Sequence, residues 1–422
     1  MDKVYVGLLG FGNVGRGFYK TLEMNRSKIS SYLNKEVIIK KVLVRDLNKN
    51  RDLNTENLIF TNNFKEIIED KSIDIIVEVL GGLEPSFSYI KKSLIKGKKV
   101  VTANKAVVAT YSKELSEVCS KYNSTLRFEG SVGGGIPIIN TLTNNLVSNE
   151  ITKMIGIING TTNFILTQMT DNQMEFDEAL KLAQKRGYAE ADPTSDLEGE
   201  DAAFKLSILS DIAFNKKISP DKIPTEGIKK ISQKDIQYAS ELGYIIKLLA
   251  IGINSKDQLE LTVHPALIKK DHPLASVKNE FNALFAEGNS VGEVMMYGKG
   301  AGSMPTGSAV LGDVVNIIKF DLDTNCLINK NHDHNLDTIG ENQFYVRLEV
   351  YDKPGVLGKV AICFGKYNVS IKSVVQRARG EETAPLIFIT HDAKRKDIDK
   401  ALNEIRGYEN IKSVESILRV EN

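Results

Sequence analysis

The sequence predicts an α/β protein in three parts: an N-terminal doubly wound parallel sheet, a central α+β domain, and a C-terminal domain with the ferredoxin-like order βαββαβ. Three observations lead to this prediction. A short apolar run is followed at once by a glycine-rich turn, and apolar runs then alternate with helical patterns up to about residue 135. The organisation changes from about residue 138. A polar stretch rich in Asn and Asp then separates roughly the last eighty residues from the rest.

Composition and charge place the chain among ordinary globular proteins. Its 422 residues suffice for two or three domains, and 42% hydrophobic and 26% charged residues are typical of a soluble protein. The net charge of +1 gives no reason to expect nucleic acid or an anionic membrane as a partner. Cys119, Cys326 and Cys363 lie far apart, which suits a reducing compartment. Without a signal-peptide pattern or an apolar run of transmembrane length, we expect a cytoplasmic protein.

The first strand, Val4 to Leu9, leads directly into a turn that matches G-x-G-x-x-G, the residues GFGNVG at 10–15. In this context the glycines allow a tight turn, a close approach of the backbone to a pyrophosphate, and close packing of helix on strand. The pyrophosphate then lies at the helix N-terminus. The motif predicts a Rossmann-like dinucleotide-binding domain, with a merely structural glycine turn as the alternative.

The second strand, Val37 to Val44, ends at Arg45 and Asp46, where such a domain meets the adenosine ribose. An acidic residue there bonds to the ribose hydroxyls of NAD, whereas an arginine pairs with the 2′-phosphate of NADP. Both residue types are present, so these residues leave NAD and NADP open. We favour NADP, through Arg45.

Three further strands are predicted at Ile73 to Val79, Lys99 to Thr102 and Ser124 to Glu129. Ligands bind at the carboxyl ends of parallel strands in such sheets. Lys105, which follows the fourth strand, is therefore well placed to face the nicotinamide and the substrate. The alternative is a solvated lysine that starts the next helix.

The fifth strand feeds a glycine-dense bend at residues 130–137, GSVGGGIP. Regular structure would not pair all of its carbonyl groups. With Glu129 beside them, they could hold a hard monovalent cation through oxygen ligands. A plain interdomain hinge explains the glycines equally well.

The central part is predicted to have a sheet of its own, with helices between the strands Glu150 to Ile158, Tyr244 to Ile253, Leu259 to Leu267 and Gly292 to Gly298. Asn159 to Asn163 is a polar turn that starts a helix, and its side chains could be no more than an N-cap. The glycine-rich loop 298–306 leads from the last strand into a helix. That loop could close over the cofactor from the other side, or be a simple strand–helix turn.

The stretch from Gly187 to Leu209 joins a carboxylate-rich loop to a helix that starts near Glu198. Asp201 and Lys205 are four residues apart, so they share one helix face. The ordinary explanation of such a pair is a surface salt bridge worth under about 1 kcal/mol. Here apolar residues continue the same face and its neighbour, which predicts a buried helix. Asp201 and Lys205 would then point into a semi-buried space with Glu190 on the approach, and we predict a functional cluster.

Residues 321–342 are polar, lack periodicity and predict a linker. His332 and His334 lie in it and are assigned to solvent, because no other ligands are near. In the remaining residues, strands are predicted at Phe344–Val350, Val369–Gln376, Leu386–Thr390 and Lys412–Arg419. Helices are predicted at Leu357–Tyr367 and Lys396–Glu404, and a turn at Asp352–Gly355 follows the first strand. This is the ferredoxin-like order.

Several motifs together resemble those of one family: GFGNVG, TANKA around Lys105, FEGSVGGGIP, NGTTN, GYAEADPTSDLEGEDAAFK, KGAGSMPTGSAVLGDV and DKPGVLG. Over essentially its whole length, the chain resembles homoserine dehydrogenases that carry a C-terminal ACT domain. The combination of NKA, NGTTN and AEADPxxDxxGxDAAxK is highly specific, whereas the single glycine motifs are not. The resemblance implies an NAD(P)-binding domain at 1–135, a catalytic and dimerisation domain at 136–320, a linker at 321–342 and an ACT regulatory domain at 343–422.

The resemblance implies NAD(P)-dependent interconversion of L-aspartate 4-semialdehyde and L-homoserine, on the route to threonine, isoleucine and methionine. Lys105 and Lys205 would lie at the reacting centre, and Lys205 would give a proton to the carbonyl oxygen as hydride arrives. Glu190, Asp196 and Asp201 would bind the amino-acid portion of the substrate, together with Lys105.

The resemblance also implies the contacts of the cofactor and of a monovalent cation, Na⁺ or K⁺. The cofactor positions are Gly10, Phe11, Gly12, Asn13, Val14, Gly15, Arg45, Lys105, Gly187 and Gly302. The cation positions are Glu129, Val132, Gly134 and Ile136. The segment GSVGGGIP is richer in glycine than the commoner family pattern, which bears on the geometry of a site built mainly from carbonyl oxygens.

ACT domains usually pair between subunits and hold an amino acid at the interface. The resemblance therefore implies a homodimer or homotetramer and feedback inhibition by threonine, with contacts at the turn Asp352 to Gly358 and at Asn368. A domain that serves only oligomerisation is the alternative. For the whole chain, two other interpretations stay open: an oxidoreductase for a different semialdehyde or amino acid, and a nucleotide-sensing regulator without catalysis.

Overall fold

The computed structural model describes residues 2–49, 51, 55–255, 258–320, 336, 340–376 and 382–421. Within them the chain forms a six-stranded sheet and a nine-stranded sheet, with helices packed against both. The predicted linker lies mostly outside the described residues, as do His332 and His334. In the described ranges, no helix combines the length and apolar character that crossing a membrane requires.

The N-terminal sheet is parallel throughout. Its strands are β1 (Asp2–Leu9), β2 (Lys35–Leu43), β3 (Ile59–Thr61), β4 (Ile73–Glu78), β5 (Lys99–Thr102) and β6 (Leu126–Arg127), in the order β3-β2-β1-β4-β5-β6. The accompanying helices are α1 (Asn13–Leu33), α2 (Lys65–Ile68), α3 (Ser86–Ile95) and α4 (Lys105–Tyr122). The strand order reverses between β1 and β4, as in a doubly wound sheet. The predicted fold class is confirmed.

Four of these strands lie close to their predicted positions, because their apolar runs are buried in the sheet. β3 was not predicted, since its three residues pair with the end of β2 and carry no periodicity of their own. The strand predicted at 124–129 is reduced to β6, because the chain enters a 3₁₀ turn at Glu129–Ser131.

The remaining strands form one sheet in the order β11-β10-β7-β8-β9-β15-β12-β14-β13. They are β7 (Ile151–Ile157), β8 (Tyr244–Ser255), β9 (Gln258–Lys269), β10 (Phe281–Gly288), β11 (Gly292–Lys299), β12 (Gln343–Tyr351), β13 (Ile371–Gln376), β14 (Thr383–Thr390) and β15 (Ile411–Glu421). The helices are α5 (Ile138–Asn140), α6 (Gly160–Asp171), α7 (Phe176–Lys185), α8 (Thr194–Leu197), α9 (Glu200–Phe214), α10 (Gln233–Glu241), α11 (Ser303–Phe320), α12 (Val356–Lys366) and α13 (Arg395–Ile405). From β12 onward, the elements follow the predicted βαββαβ order.

The prediction of helices between the later central strands is wrong. β8 ends at Ser255 and β9 begins at Gln258, which leaves no room for a helix. Between β9 and β11, the chain forms the strand β10 and one 3₁₀ turn. β10 escaped prediction because it is buried on both faces over most of its length, so its apolar residues do not alternate with polar ones.

α11 brings the chain back to the first sheet. It packs along α1 with glycine at the closest approach on each helix. A Cβ on Gly17 would overlap the carbonyl oxygen of Ser303, and one on Gly307 would overlap the backbone of Gly17. The end of the central part is thereby held against the dinucleotide-binding part.

The central and C-terminal parts share one sheet, where the sequence predicted two. β15 pairs with β9 in parallel, with Arg419 to Glu421 alongside Ala266 to Ile268. Beside this join, Nε of Arg347 on β12 donates to Oδ1 of Asp235 on α10 at 2.8 Å, and both side chains are almost fully buried. The hydroxyl of Tyr345 donates to the same oxygen at 3.3 Å. Strand pairing and a buried ion pair therefore anchor the C-terminal domain.

Candidate active site

The turn after β1 has the geometry that a dinucleotide pyrophosphate requires. Gly10 has a φ of +103°, which favours glycine. A Cβ on Gly15 would overlap the carbonyl oxygen of Gly10, so the helix packs directly on the turn. A Cβ on Gly12 would meet nothing within 4 Å, so the backbone there faces open space. The three glycines thus serve a tight turn, close packing and backbone approach to a phosphate.

The N-terminus of α1 is available for an anion. Gly12 caps the helix without a side-chain hydrogen bond, and the first turn holds no acidic residue. The N–H groups and the positive end of the helix dipole attract phosphate. The ring of Phe11 packs against Tyr19 and Phe60, with ring centroids 6.0 and 5.5 Å away. Its backbone, and not its ring, is therefore left for a cofactor.

Arg45 and Asp46 lie in an exposed loop after β2. The carboxylate of Asp46 accepts a hydrogen bond from the backbone N–H of Asn48 at 2.8 Å, so it shapes the loop. Arg51 donates to backbone carbonyl groups of the same loop. Asp46 is thus engaged within the loop, while Arg45 stands exposed beside the dinucleotide-binding edge of the sheet.

Lys105 is the first residue of α4, and the ends of β4 and β5 determine where this helix starts. Asn104 caps it by accepting from a first-turn N–H at 3.2 Å, while its Nδ2 donates to the carbonyl oxygen of Gly82 at 2.7 Å. Thr102 donates to the buried carboxylate of Glu78 at 2.6 Å and accepts from the N–H of Asn104 at 3.0 Å. This network holds Lys105 at the carboxyl ends of the strands, where it was predicted.

α9 carries Asp201 and Lys205 into the interior. Its N-cap, Gly199, has a φ of +84°, which lets the chain turn sharply from α8 into α9. Asp201 is 4% exposed, and the side chain of Lys205 is 12% exposed. The predicted burial of the helix is confirmed, so this pair is no surface salt bridge.

Both carboxylate oxygens of Asp201 are engaged by lysines. Oδ2 accepts from Nζ of Lys205 at 2.7 Å, and Oδ1 accepts from Nζ of Lys105. Nζ of Lys205 also donates to the carbonyl oxygen of Ile158 at 2.8 Å. Burial raises the pKa of Asp201, but the charges of Lys205 and Lys105 outweigh it and hold the pKa well below its usual range. Each ammonium group carries three N–H donors, so both lysines keep donors that can bind a developing oxyanion.

Asn159 joins this cluster, a role that the sequence analysis missed. Its Oδ1 accepts from the N–H of Thr162 at 2.9 Å, so it is the N-cap of α6. Its Nδ2 also donates to Oδ1 of Asp196 at 2.7 Å and to Oδ2 of Asp201 at 2.8 Å. One amide therefore caps a helix and aligns two carboxylates. The available signal was an amide directly after a buried strand.

Lys105 and Lys205 line one cavity of about 310 Å³. Its wall includes Gly82, Gly134 and Gly300, from the ends of both sheets. The side chain of Lys105 is 42% exposed, so it reaches the open part of the cleft. Two larger clefts, of about 720 and 1160 Å³, hold none of the clustered residues, so convergent polar groups and not size locate this site.

Two predicted site residues lie apart from the cluster. Glu190 is exposed, and its backbone carbonyl accepts from Gln184 at 3.2 Å. Its carboxylate forms no hydrogen bond with Lys105, Asp201 or Lys205 in the described ranges. Gly187 lies in the turn after α7 with a φ of +75°. The substrate contact of Glu190 and the cofactor contact of Gly187 stay predictions.

The loop after β11 borders both the dinucleotide turn and the cavity. The hydroxyl of Ser303 donates to the carbonyl oxygen of Asn13 at 2.5 Å. Gly302, with a φ of +120°, lets the loop enter α11. A Cβ on Gly134 would overlap the backbone of Gly300, so the bend 130–137 touches this loop. The loop lies on the side of the cleft from which closure over a cofactor was predicted.

Glu129 and Asp313 form a pair of buried carboxylates next to the glycine bend. Glu129 accepts from the N–H groups of Ile139 and Asn140 at 2.8 and 2.7 Å, and its own N–H donates to Asp313 at 2.8 Å. Burial and then the charge of Asp313 raise the pKa of Glu129 to about 7, and burial raises the pKa of Asp313 to about 6. Asp313 was not predicted, although a lone acid in the apolar helix α11 was a signal. Burial thus disfavours the charged forms of these two carboxyl groups, and a cation beside them would stabilise those forms.

The fold and the site define a nicotinamide-dependent oxidoreductase with an appended ferredoxin-like domain. Family models narrow this class: residues 10–129 match the NAD binding domain of homoserine dehydrogenase, 137–315 match homoserine dehydrogenase, and 344–410 match the ACT domain. The chain belongs to the homoserine dehydrogenase family. It is therefore an oxidoreductase acting on a CH–OH group, with an NAD-binding domain and an ACT regulatory domain.

Relatives match the chain over its length. A homoserine dehydrogenase from Synechocystis sp. is 41% identical over 431 residues, which cover 99% of this chain and 99% of that protein. The crystal structure of a homoserine dehydrogenase from Thiobacillus denitrificans has a TM-score of 0.93 and 37% identity, covering 100% of this chain and 99% of that one. A hyperthermophilic archaeal homoserine dehydrogenase in complex with NADPH has a TM-score of 0.63 and 26% identity, covering 74% of this chain and 97% of that one.

Proposed function

We propose that the chain interconverts L-aspartate 4-semialdehyde and L-homoserine, with NADP or NAD as its redox partner. The observation that carries this proposal is that Lys105 and Lys205, both bound to the carboxylate of Asp201, line the cavity beside the dinucleotide turn. The test is homoserine-dependent reduction of NADP and NAD. A nucleotide sensor would bind the cofactor without reducing it, and an oxidoreductase for another amino acid would turn over that substrate faster.

In this proposal Lys205 is the proton donor. When bound, the nicotinamide supplies the hydride that reaches the aldehyde carbon. Negative charge then grows on the aldehyde oxygen, where Lys205 can stabilise it and give up a proton. The carboxylate of Asp201 and the carbonyl oxygen of Ile158 set the direction of Nζ. In the reverse direction, Lys205 accepts the proton of the homoserine hydroxyl.

The ammonium group of the substrate needs carboxylates, which we assign to Asp196, Asp201 and Glu190. Asn159 already aligns the first two. Because both oxygens of Asp201 hold a lysine, a substrate ammonium there would replace the contact of Lys105, the more exposed of the two lysines. Lys105 would then be released toward the cofactor and the substrate carboxylate.

Cofactor preference is expected to depend on Arg45. Arg45→Ala should lower kcat/KM for NADP by about tenfold or more and leave the value for NAD within about twofold, because a charge-assisted contact with the 2′-phosphate is lost. Support comes from the exposure of Arg45 and from the engagement of Asp46 within the loop. Lys49→Ala, in the same exposed loop, is the matched control. An unchanged ratio of the two cofactors would remove Arg45 from this role.

A monovalent cation, Na⁺ or K⁺, is proposed beside Glu129, with the carbonyl oxygens of Val132, Gly134 and Ile136 as further ligands. Its support is the pair of buried carboxyl groups, Glu129 and Asp313, whose charged forms a cation would stabilise, and the left-handed backbone of Gly134, at a φ of +55°. The cation would brace the bend that lines the cavity. Activity should rise severalfold when Na⁺ or K⁺ replaces tetramethylammonium at constant ionic strength, and Glu129→Gln should abolish most of this response. Equal rates in all three salts would exclude the cation.

Threonine is the proposed effector of the ACT domain, bound at the turn Asp352 to Gly358 near Asn368. The turn is mostly exposed, and Gly355 caps α12 without a side-chain hydrogen bond, so the helix N-terminus is available to a carboxylate. Deleting the domain would leave Asp235 buried without Arg347, so a point substitution in the turn is the cleaner test.

Asp352→Ala is expected to raise the threonine concentration for half-inhibition by about fivefold or more, because a charged contact to the effector is lost. The kcat/KM for homoserine without threonine should not change, since no residue of the turn lines the cavity of the lysines. Asp392→Ala, an exposed residue outside the turn, is the control. If the wild type, Asp352→Ala and Asp392→Ala give identical threonine inhibition curves, the domain serves oligomerisation alone.

A homodimer or homotetramer is proposed, paired through the ACT end of the sheet. β13 is the edge strand there and presents Val374, and α12 presents Ile362 with 75% of its surface exposed. An unpaired strand edge beside exposed apolar residues favours a partner copy. Light scattering should find two or four chains per particle, and Ile362→Lys should shift the mass downward. A wild-type monomer at micromolar concentration would contradict the pairing.

A further inference from the structure

A second cavity, of about 190 Å³, lies where the ACT domain meets the central part of the chain. It opens beside the short parallel pairing of β9 with β15. Its walls are Pro224–Glu226, Val263–Pro265 on β9, Ile417–Arg419 on β15, and Arg395 on α13. These residues belong neither to the cluster of lysines nor to the ACT turn.

Two arginines from different elements line this cavity. Arg395 begins α13, and its Nε donates to Asp399 at the surface, at 3.0 Å. Arg419 has only 11% of its side chain exposed, and its Nη1 lies 3.4 Å from Oε1 of Glu260, a long contact that leaves other donors for a ligand. Two guanidinium groups at one small cavity suit a carboxylate.

The same cavity holds a negative group and an unsatisfied polar atom. Glu226 is partly buried, and its backbone N–H donates to the carbonyl oxygen of Val263 at 2.7 Å. His264 is 5% exposed, and within the described chain its Nε2 makes no hydrogen bond, with Oε1 of Glu421 at 3.9 Å. Burial and then the charge of Arg419 lower the pKa of His264 to about 3, so its ring stays neutral. The cavity thus offers positively charged arginines and a negatively charged glutamate in a small volume, which suits a zwitterionic ligand.

The cavity wall rests against the start of α9. A Cβ on Gly199 would lie 2.9 Å from Cγ2 of Thr225 and 3.1 Å from Cγ1 of Val263. The N–H of Ile228 donates to the carbonyl oxygen of Leu197 at 2.9 Å, just before Gly199. Asp201 follows two residues later. These contacts connect the cavity wall to the first turn of α9, which carries the carboxylate that holds both lysines.

We propose that this cavity is an effector site for a small zwitterionic amino acid, with its carboxylate on Arg395 and Arg419 and its ammonium on Glu226. The volume supports this choice, because it is below the roughly 300–1,000 Å³ of sites for drug-sized ligands. The effector role rests on the proposed function, since its effect is a change in homoserine oxidation. In this proposal, an amino acid bound in the cavity moves Thr225, and Thr225 in turn moves the first turn of α9.

The test is calorimetry on the full chain with glycine and L-alanine as probes. At least one should bind with one site per chain, and acetate and ethylammonium, which carry one charge each, should bind at least about tenfold more weakly. Arg395→Gln should weaken the amino acid by about tenfold or more and remove its effect on homoserine oxidation. Arg406→Gln, an exposed arginine at the other end of α13, is the control. Without ligand, both variants should keep the wild-type kcat/KM.

Four results would overturn the proposal. The first is that none of the probes binds. The second is that Arg395→Gln and Arg419→Gln both bind the amino acid as tightly as the wild type. The third is that only the Asp352→Ala variant loses binding, which would place the ligand at the ACT turn. The fourth is that the amino acid binds but does not change the rate of homoserine oxidation, which would exclude the effector role. If the wild type does not oxidise homoserine at all, the proposed function fails, while the calorimetry still decides whether the cavity binds an amino acid.

Discussion

Replacement of Lys205 by methionine is expected to lower kcat for homoserine oxidation by at least about a hundredfold. Loss of a positioned acid–base group typically costs about 10²–10⁴ in rate. Methionine keeps the apolar stem but loses the hydrogen bonds to Asp201 and to the carbonyl oxygen of Ile158. Asp201 keeps its contact with Lys105, so the buried carboxylate stays paired and the fold should persist. Initial rates at saturating homoserine and cofactor measure the effect.

Lys229→Met is the matched control for this substitution. Lys229 pairs with Glu198 at 2.6 Å, and both side chains are 45% exposed. An exposed pair of this kind contributes little, so kcat should stay within about twofold of the wild type. A folded Lys205→Met enzyme with near-normal turnover would show that another group transfers the proton.

Replacement of Arg347 by methionine is expected to destabilise the protein by about 3–5 kcal/mol, the usual cost of breaking a buried ion pair from one side. Asp235 is fully buried and would lose its cationic partner. Ser232 and Tyr345 still donate to this carboxylate, but neither is charged. Denaturant-induced unfolding measures the loss. Activity well below the transition should change little, because the side chain of Arg347 contacts Asp235, Ser232 and Glu415 and not the lysine cluster.

Two further variants make this measurement decisive. Arg406→Met removes an exposed arginine of the same domain and should cost about 0.5 kcal/mol or less. The double variant Arg347→Met with Asp235→Asn should recover much of the loss, because no unpaired charge then remains buried. If Arg347→Met is no less stable than Arg406→Met, the ion pair does not anchor the ACT domain.

Local patterns were enough to predict the dinucleotide turn. An apolar run, three glycines at fixed spacing and a following helix are adjacent in sequence, and the structure places them as β1, the turn and α1. The buried face of α9 was equally local, since apolar neighbours of Asp201 and Lys205 repeat at helical spacing. Local patterns could not predict the contact of Lys105 with Asp201. It joins residues 96 apart, and only the family resemblance placed both at one centre.

The elements and contacts that the sequence did not predict depend on tertiary pairing. β10 has no alternating pattern because both of its faces are buried, and the join of β15 to β9 involves segments about 150 residues apart. The capping role of Asn159 was foreseen, but its two carboxylate contacts depend on α8 and α9 folding beside it. Asp313 became significant only when α11 packed against Glu129. Such contacts leave no periodic signal in a single chain.

Whether the cleft beside the lysine cluster is a hydride-transfer site is tested most directly with L-homoserine that carries deuterium at both hydrogen positions of C4. The wild-type enzyme should reduce NADP or NAD only when homoserine is present, and mass spectrometry should find the deuterium in the reduced nicotinamide. Reduced cofactor without deuterium, or no homoserine-dependent reduction although the cofactor binds, would contradict the claim.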